Sequence, residues 1–220
     1  MNTQDRFKRW FKLRFAILYP FGIFVLIFAH SDDQSIKAGI WFILAGLFIR
    51  IWANGYAVKL DKLTTSGPYA FVRHPLYFGT MFVAIGFVIM LRMGYIGVLL
   101  ILVMVVVYSR TMKKEEQMLQ AKFRDLYINY KKKVPAILPS VFPYRDGEKW
   151  PFSFRRLIKS QEYKLFIWMM IIVIVFHLKE ELLVEHEKIN TKIIVLIATV
   201  LFLGIIDFMG ELLKWKKIEI

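Results

Sequence analysis

The chain has no cysteine in 220 residues, so disulfides and thiolate metal sites are excluded, while the redox compartment stays open. Histidine is scarce too. Four occur, at positions 30, 74, 177 and 186, without metal-ligand spacing and with no H-E-x-x-H pair, so no metal is expected. Acidic residues number 17 against 31 Lys and Arg, for a formal net charge of +14. Polar surface is what the chain has least of: 57% of its residues are hydrophobic and the mean hydropathy is +0.48, too apolar for an ordinary soluble domain. In such a chain a surplus of positive charge reads as cytoplasmic loops and an anionic lipid surface. Nucleic acid is not an expected partner.

Apolar runs occupy residues 15–29, 36–59, 76–91, 95–108, 165–178 and 193–209. They predict an all-α polytopic membrane protein of about six transmembrane helices. The basic start with Arg6, Lys8, Arg9, Lys12 and Arg14 has the form of a signal peptide's first part, but no small-x-small site ends the following run, which reads as a retained span. Lys and Arg concentrate in 1–14, 59–73, 109–164 and 214–220, which predicts cytoplasmic termini. The third and fourth runs are separated only by residues around Arg92, Met93 and Gly94, forcing an antiparallel hairpin. Residues 114–132 have an apolar stripe at helical spacing and predict an amphipathic cytoplasmic helix. The domain reading is a membrane core over 1–144, a linker over 145–164 and a C-terminal membrane hairpin over 165–220.

Between the second and third runs lie thirteen residues, G-P-Y-A-F-V-R-H-P-L-Y-F-G, from Gly67 to Gly79. A connector needs turn residues and a few positive charges; this one also carries Arg73, His74 and two tyrosines. Pro75 suits the first position of a helix, where its missing N–H would be unpaired anyway. Arg73 and His74 then stand just before a helix N-terminus, a place that favours anions. Within the second run, Arg50 and Asn54 are four residues apart and share one helical face. A buried Arg costs about 2.5–3.5 kcal/mol on insertion scales, so Arg50 either faces a cavity or partner or snorkels to the surface.

A second block follows the hairpin: Glu115-Glu116, then Leu119, Phe123, Tyr127, Tyr130, Val134-Pro135 and Leu138-Pro139. Together, R-H-P-x-Y-x-G and E-E-x-x-L…F…Y-x-x-Y…V-P…L-P resemble the isoprenylcysteine carboxyl methyltransferase family, whose wider group includes the phospholipid N-methyltransferases. The resemblance runs from about Asn54 to Pro139. It implies a multi-spanning membrane enzyme that uses S-adenosyl-L-methionine to methylate a lipid or lipidated acceptor. By the same resemblance the cofactor would be bound by Asn54, by Asp61, Lys62, Leu63 and Thr64, and by Tyr69, His74, Pro75, Leu76, Tyr77 and Glu115, with Glu116 completing the acidic pair. Arg73, His74 and Arg110 are the candidate catalytic residues. Arg50, Arg110 and Thr111 are the candidates for the acceptor. One departure stands out: where prenylcysteine enzymes carry a substrate-handling Arg four residues before the cofactor Glu, this chain has Thr111, with Arg110 next to it.

The cations near the loop favour O-methylation of an anionic carboxylate or phosphate head group, since an anion needs no general base. Phosphatidylethanolamine N-methylation is the nearest alternative; an NADPH-dependent sterol-reductase-like enzyme and a non-catalytic scaffold are the others. The expected location is a bacterial cytoplasmic membrane, or the endoplasmic reticulum membrane in a eukaryote, with the site facing the cytoplasm.

Overall fold

The computed structural model describes residues 31–58, 62–184 and 189–218. The basic start, the span expected at 15–29 and the candidate Asp61 lie outside the described residues. Those described are helical, with no strand among them. Six α-helices follow in order: α1 Asp33–Tyr56, α2 Pro75–Met90, α3 Gly94–Lys133, α4 Phe154–Ser160, α5 Glu162–Lys179 and α6 Thr191–Ile218. A 3-10 turn, Gly67–Ala70, precedes α2, and a π-helical turn, Glu180–Val184, extends α5.

Local chemistry explains the boundaries. Asp32 caps α1 by accepting from the Ser35 backbone N–H at 2.7 Å, while the Ser35 hydroxyl accepts from the Asp32 N–H at 3.0 Å, a reciprocal capping box. Pro75 opens α2. Beyond Met90 the chain reverses tightly, with Arg92 at φ 49° and Gly94 at φ 49°. From Gly97 no Gly or Pro interrupts the sequence until Pro135, and the expected fourth span and amphipathic helix follow one another without a loop over 40 residues, labelled together α3. At about 1.5 Å per residue it is roughly 60 Å long, which lets it cross a bilayer and still carry Glu115 and Tyr127 beyond. Non-helical dihedrals at Arg124 mark a kink within it.

Helices α1 and α2 meet through glycines. A Cβ on Gly39 would strike the Gly86 carbonyl, one on Gly46 the Gly79 carbonyl, and the reverse holds for Gly86 and Gly79. Small residues let two backbones approach where lipid supplies no hydrophobic drive. Around this contact Ile43, Leu47, Val83 and Met90 form a buried core that also takes in Val173 and Phe176 of α5. The C-terminal segment is thus packed into the core. Its predecessor, read as a linker, closes the end of α1: Trp150 Nε1 donates to the Tyr56 carbonyl at 2.8 Å, and both the Ser153 N–H, at 3.0 Å, and Arg156 Nε, at 2.9 Å, donate to the Gly55 carbonyl. These bonds satisfy carbonyls that a helix end leaves open.

Three described helices are long and apolar enough to cross a membrane: α1, α3 and residues Thr191–Gly210 of α6. Helix α2 is shorter, at 16 residues, because the motif loop holds its start at Pro75. The apolar part of α3 exposes Leu99, Leu102, Val103 and Val106, and α6 exposes Leu201, Phe202 and Ile205. In water this would be an untenable patch; in a bilayer it is the lipid face.

Candidate active site

The two motif blocks are brought together by backbone hydrogen bonds that sequence spacing does not reveal. The Arg73 N–H donates to the Pro135 carbonyl at 2.9 Å and the His74 N–H to the Ala136 carbonyl at 3.1 Å. In return the Ser140 N–H donates to Phe71 at 2.9 Å and the Tyr144 N–H to Ala70 at 2.8 Å. The Tyr130 hydroxyl adds a bond to the Tyr69 carbonyl at 2.7 Å. The prolines after α3 end the helix and leave an extended segment against which the loop is pinned. Tyr127, Tyr130 and Val134 form a small buried core beneath it, with Leu119 and Phe123 packed alongside.

Within this frame the acidic pair divides its work. Glu116 is turned inward: Arg73 Nη1 lies 2.7 Å from it, Lys131 Nζ 2.7 Å and His74 Nε2 3.3 Å. Lys131 is therefore part of this network. Glu115 faces the other way and accepts from the Tyr77 hydroxyl at 2.6 Å. His74 Nδ1 is 3.6 Å from Glu115, beyond hydrogen-bond distance. His74 is 6% exposed. Burial lowers its pKa from the ordinary value, against the opposing pull of Glu116 and Glu115. It is therefore a neutral imidazole at pH 7, able to donate from one nitrogen only. Burial likewise raises the pKa of Tyr69 and keeps it a neutral phenol.

Beside Glu115 lies a cavity of about 390 Å³ between α2, α3 and the loop, within the range of small-molecule sites. Of the candidates, Arg50, Lys62, Leu63, Thr64, Tyr69, Arg73, His74, Pro75, Leu76, Tyr77 and Glu115 line it. Asn54 and Glu116 do not; Asn54 is buried with its Nδ2 donating to the Arg50 carbonyl at 3.0 Å. Arg110 and Thr111 are exposed and are not part of the lining. Residues not singled out as site candidates also line it, among them Tyr108, Thr80 and Tyr127. Tyr108 sits 4.9 Å, ring to ring, from Tyr77; its position seven residues before Glu115, on the same helical face, was the available signal.

Each cation of the wall has an acidic partner. Arg50 is clamped by Glu162 through Nη2 at 2.8 and 2.9 Å and Nε at 3.1 Å, Arg73 is ion-paired with Glu116, which it shares with Lys131, and Lys62 pairs with Glu148 at 2.7 Å. Glu115 has no Lys or Arg partner among the described residues. The net result is a cavity in which Glu115 lies beside several tyrosine rings with no Lys or Arg of the described residues bonded to it, an environment that suits a cation.

Residues 48–121 match the isoprenylcysteine carboxyl methyltransferase family. A protein-S-isoprenylcysteine O-methyltransferase of Schizosaccharomyces pombe is 38% identical over 133 residues, 55% of this chain and 56% of that protein. The enzyme of the same name from Rattus norvegicus is 38% identical over 85 residues, covering 39% of this chain and 30% of its own length. A cobalt-zinc-cadmium resistance protein of Cupriavidus metallidurans is 28% identical over 175 residues, 74% of this chain and 78% of that protein. No solved structure matches the chain.

Proposed function

We propose that this chain is a membrane methyltransferase of the isoprenylcysteine carboxyl methyltransferase family, which its residues 48–121 match, and that it transfers a methyl group from S-adenosyl-L-methionine to an anionic oxygen, a carboxylate or phosphate, on a lipid or prenyl-linked acceptor. The observation that carries this reading is Glu115. It is a carboxylate without a Lys or Arg partner among the described residues, set in a cavity whose cations each have an acidic partner. That balance suits a donor bearing a sulfonium and an ammonium group and disfavours a polyanionic nucleotide such as NADPH.

Bound S-adenosyl-L-methionine would supply an electrophilic methyl group on positively charged sulfur. Glu115 is suited to its amino group or ribose hydroxyls, while Tyr69, Tyr77 and Tyr108 offer faces for the adenine and for the cation. Leu63, Leu76 and Leu119 supply the apolar wall that excludes water. His74, neutral and tied to Glu116, keeps the loop in register instead of taking a proton. A carboxylate or phosphate acceptor is already deprotonated, so orientation and exclusion of water are what remain for the protein to contribute. Arg110, exposed on α3 five residues before Glu115, is the residue we assign to attracting the acceptor's head group. The basic segments around the loop and the end of α3 support a cytoplasmic site.

The test is to incubate the purified full-length protein with methyl-labelled S-adenosyl-L-methionine and, separately, a prenylated cysteine carboxylate, a lipid phosphate and phosphatidylethanolamine. Label in an anionic acceptor is the expected result. Labelling of the amine alone would sink the anionic choice, and no binding of the donor would sink the reading as a whole.

A further inference from the structure

Glu162 lies outside the stretch matched to the family, 48–121, and opens α5, a helix with no assigned role. Its carboxylate reaches across to α1 and takes Nε and Nη2 of Arg50. The remaining arm of Arg50, Nη1, donates to the Leu76 carbonyl at 3.2 Å and to Thr80 Oγ1 at 2.5 Å. Room for this side chain comes from the last glycine of the motif, since a Cβ on Gly79 would meet Arg50 Cγ. Both members of the pair are largely buried, with side chains 16% and 18% exposed. Arg50 is thus fully committed to the protein although it lines the cavity. Removing one partner of such a pair would leave the other charge uncompensated in a poorly solvated place.

We propose that Glu162 is a specificity-determining residue: by holding Arg50 it cancels a positive charge in the cavity wall that would otherwise oppose Glu115, so that a cationic sulfur is preferred over a neutral one. This rests on the S-adenosyl-L-methionine reading above. The relevant contrast is between the donor, with its sulfonium, and S-adenosylhomocysteine, which has the same adenosine and amino-acid ends but an uncharged sulfur. A group that only supports the fold would affect both ligands alike. A group that sets the charge of the wall would affect the first more than the second.

The experiment measures equilibrium binding of both ligands to the full-length protein in nanodiscs, for wild type, Glu162→Gln, Glu162→Asp, Arg50→Gln and the double variant Arg50→Gln/Glu162→Gln. Glu162→Gln, which bares Arg50, should lower affinity for the donor relative to S-adenosylhomocysteine by about tenfold, the scale of one unit charge at roughly 10 Å in a partly screened site. Glu162→Asp should keep the wild-type ratio, and the double variant should restore it. Arg50→Gln, which bares Glu162 instead, should shift the ratio the opposite way. If Glu162→Gln does not fold, that opposite shift decides the matter. Wild type that binds the donor, with ratios unchanged in Glu162→Gln and Arg50→Gln, overturns this proposal and leaves the donor reading intact. Wild type that binds neither ligand overturns the donor reading itself.

Discussion

Against α1, helix α2 packs backbone on backbone, with Gly79 and Gly86 set into Gly46 and Gly39; toward α3 the same helix leaves the cavity bounded by Pro75, Leu76, Tyr77, Tyr108 and Glu115. The first interface has no space for a methyl group, and the second has space for a ligand. The difference assigns the two sides of α2 different duties. One face fixes the height and rotation of the helix to within a fraction of a turn, because glycine contacts allow no sliding. The other then presents Tyr77 to Glu115 at a defined distance. A site that must align a donor and an acceptor gains from such a rigid wall.

The sharpest way to break this contrast is to fill the glycine interface. Gly46→Leu would drive a side chain into the Gly79 carbonyl and Val83. Overpacking costs about 1–3 kcal/mol, and here the obstacle includes backbone, so the upper end is expected. Thermal unfolding in detergent would show it, with Leu102→Ala on the exposed face of α3 staying within about 0.5 kcal/mol of wild type. Equal stability of the two variants would show that glycine packing does not hold α1 to α2.

Next in size come substitutions on the cavity side. His74→Ala and Glu115→Ala should each weaken S-adenosyl-L-methionine binding by roughly tenfold to a hundredfold, the range for losing one charge-assisted hydrogen bond or its support. Glu115→Ala should leave unfolding unchanged, because its side chain is 39% exposed. His74→Ala should also loosen the loop, since His74 is buried against Glu116. Isothermal titration separates the two effects. Wild-type affinity in both variants would place the donor elsewhere.

What the sequence made legible follows from how the information is written. The loop and the acidic pair were readable because Arg73, His74, Tyr77 and Glu115 are chemically unusual at a membrane boundary and recur in a family pattern. The short turn at Arg92 was enough to infer that α2 and α3 return Glu115 to the face of His74. Glu162 was not readable as Arg50's partner. The two are 112 residues apart, and only the packing of α5 on the α1 and α2 core joins them. The segment over 145–164 looked like a linker for a similar reason: Trp150 and Arg156 act through bonds to backbone carbonyls of α1, and such bonds leave no periodic trace. That no loop parts the two halves of α3 was legible in retrospect, from the absence of Gly and Pro between Gly97 and Pro135; the kink at Arg124 was not.

The state of His74 gives a smaller and pH-dependent test of the loop. Its pKa is lowered from 6.5, by burial first. Well above 6.5 the folded and unfolded states both hold it neutral, and it contributes nothing to the pH dependence. Below 6.5 the unfolded state takes up the proton more readily than the folded one, so stability falls on acidification, by at most about 1.4 kcal/mol per pH unit for one group. Thermal unfolding between pH 7.5 and 5.5 should therefore fall less steeply in His74→Gln than in wild type. A wild-type slope equal to the variant's, or a gain in stability toward acid that the variant lacks, would contradict a neutral buried imidazole.

The smallest effect is expected at Arg110, and it bears on the acceptor alone. Arg110 is exposed and has no ion-pair partner among the described residues, in contrast to Arg50 and Arg73, whose charges are taken by Glu162 and Glu116. It is not part of the cavity lining, and neither is Thr111, whose hydroxyl donates to the Val107 carbonyl at 3.0 Å. Cofactor affinity should accordingly change by less than about twofold in Arg110→Ala, within the usual range for surface substitutions. A free surface cation can still draw an anionic head group toward the cleft, a contribution of about 1 kcal/mol or less. The Michaelis constant for an anionic acceptor should then rise a few-fold in Arg110→Ala at low ionic strength, and the difference from wild type should shrink as salt is added. An amine acceptor should respond the other way, because removing a positive charge eases its approach. If Arg110→Ala instead abolished donor binding, the cavity beside Glu115 would be too narrow a description of the site, and the outer face of α3 would have to be counted as part of it.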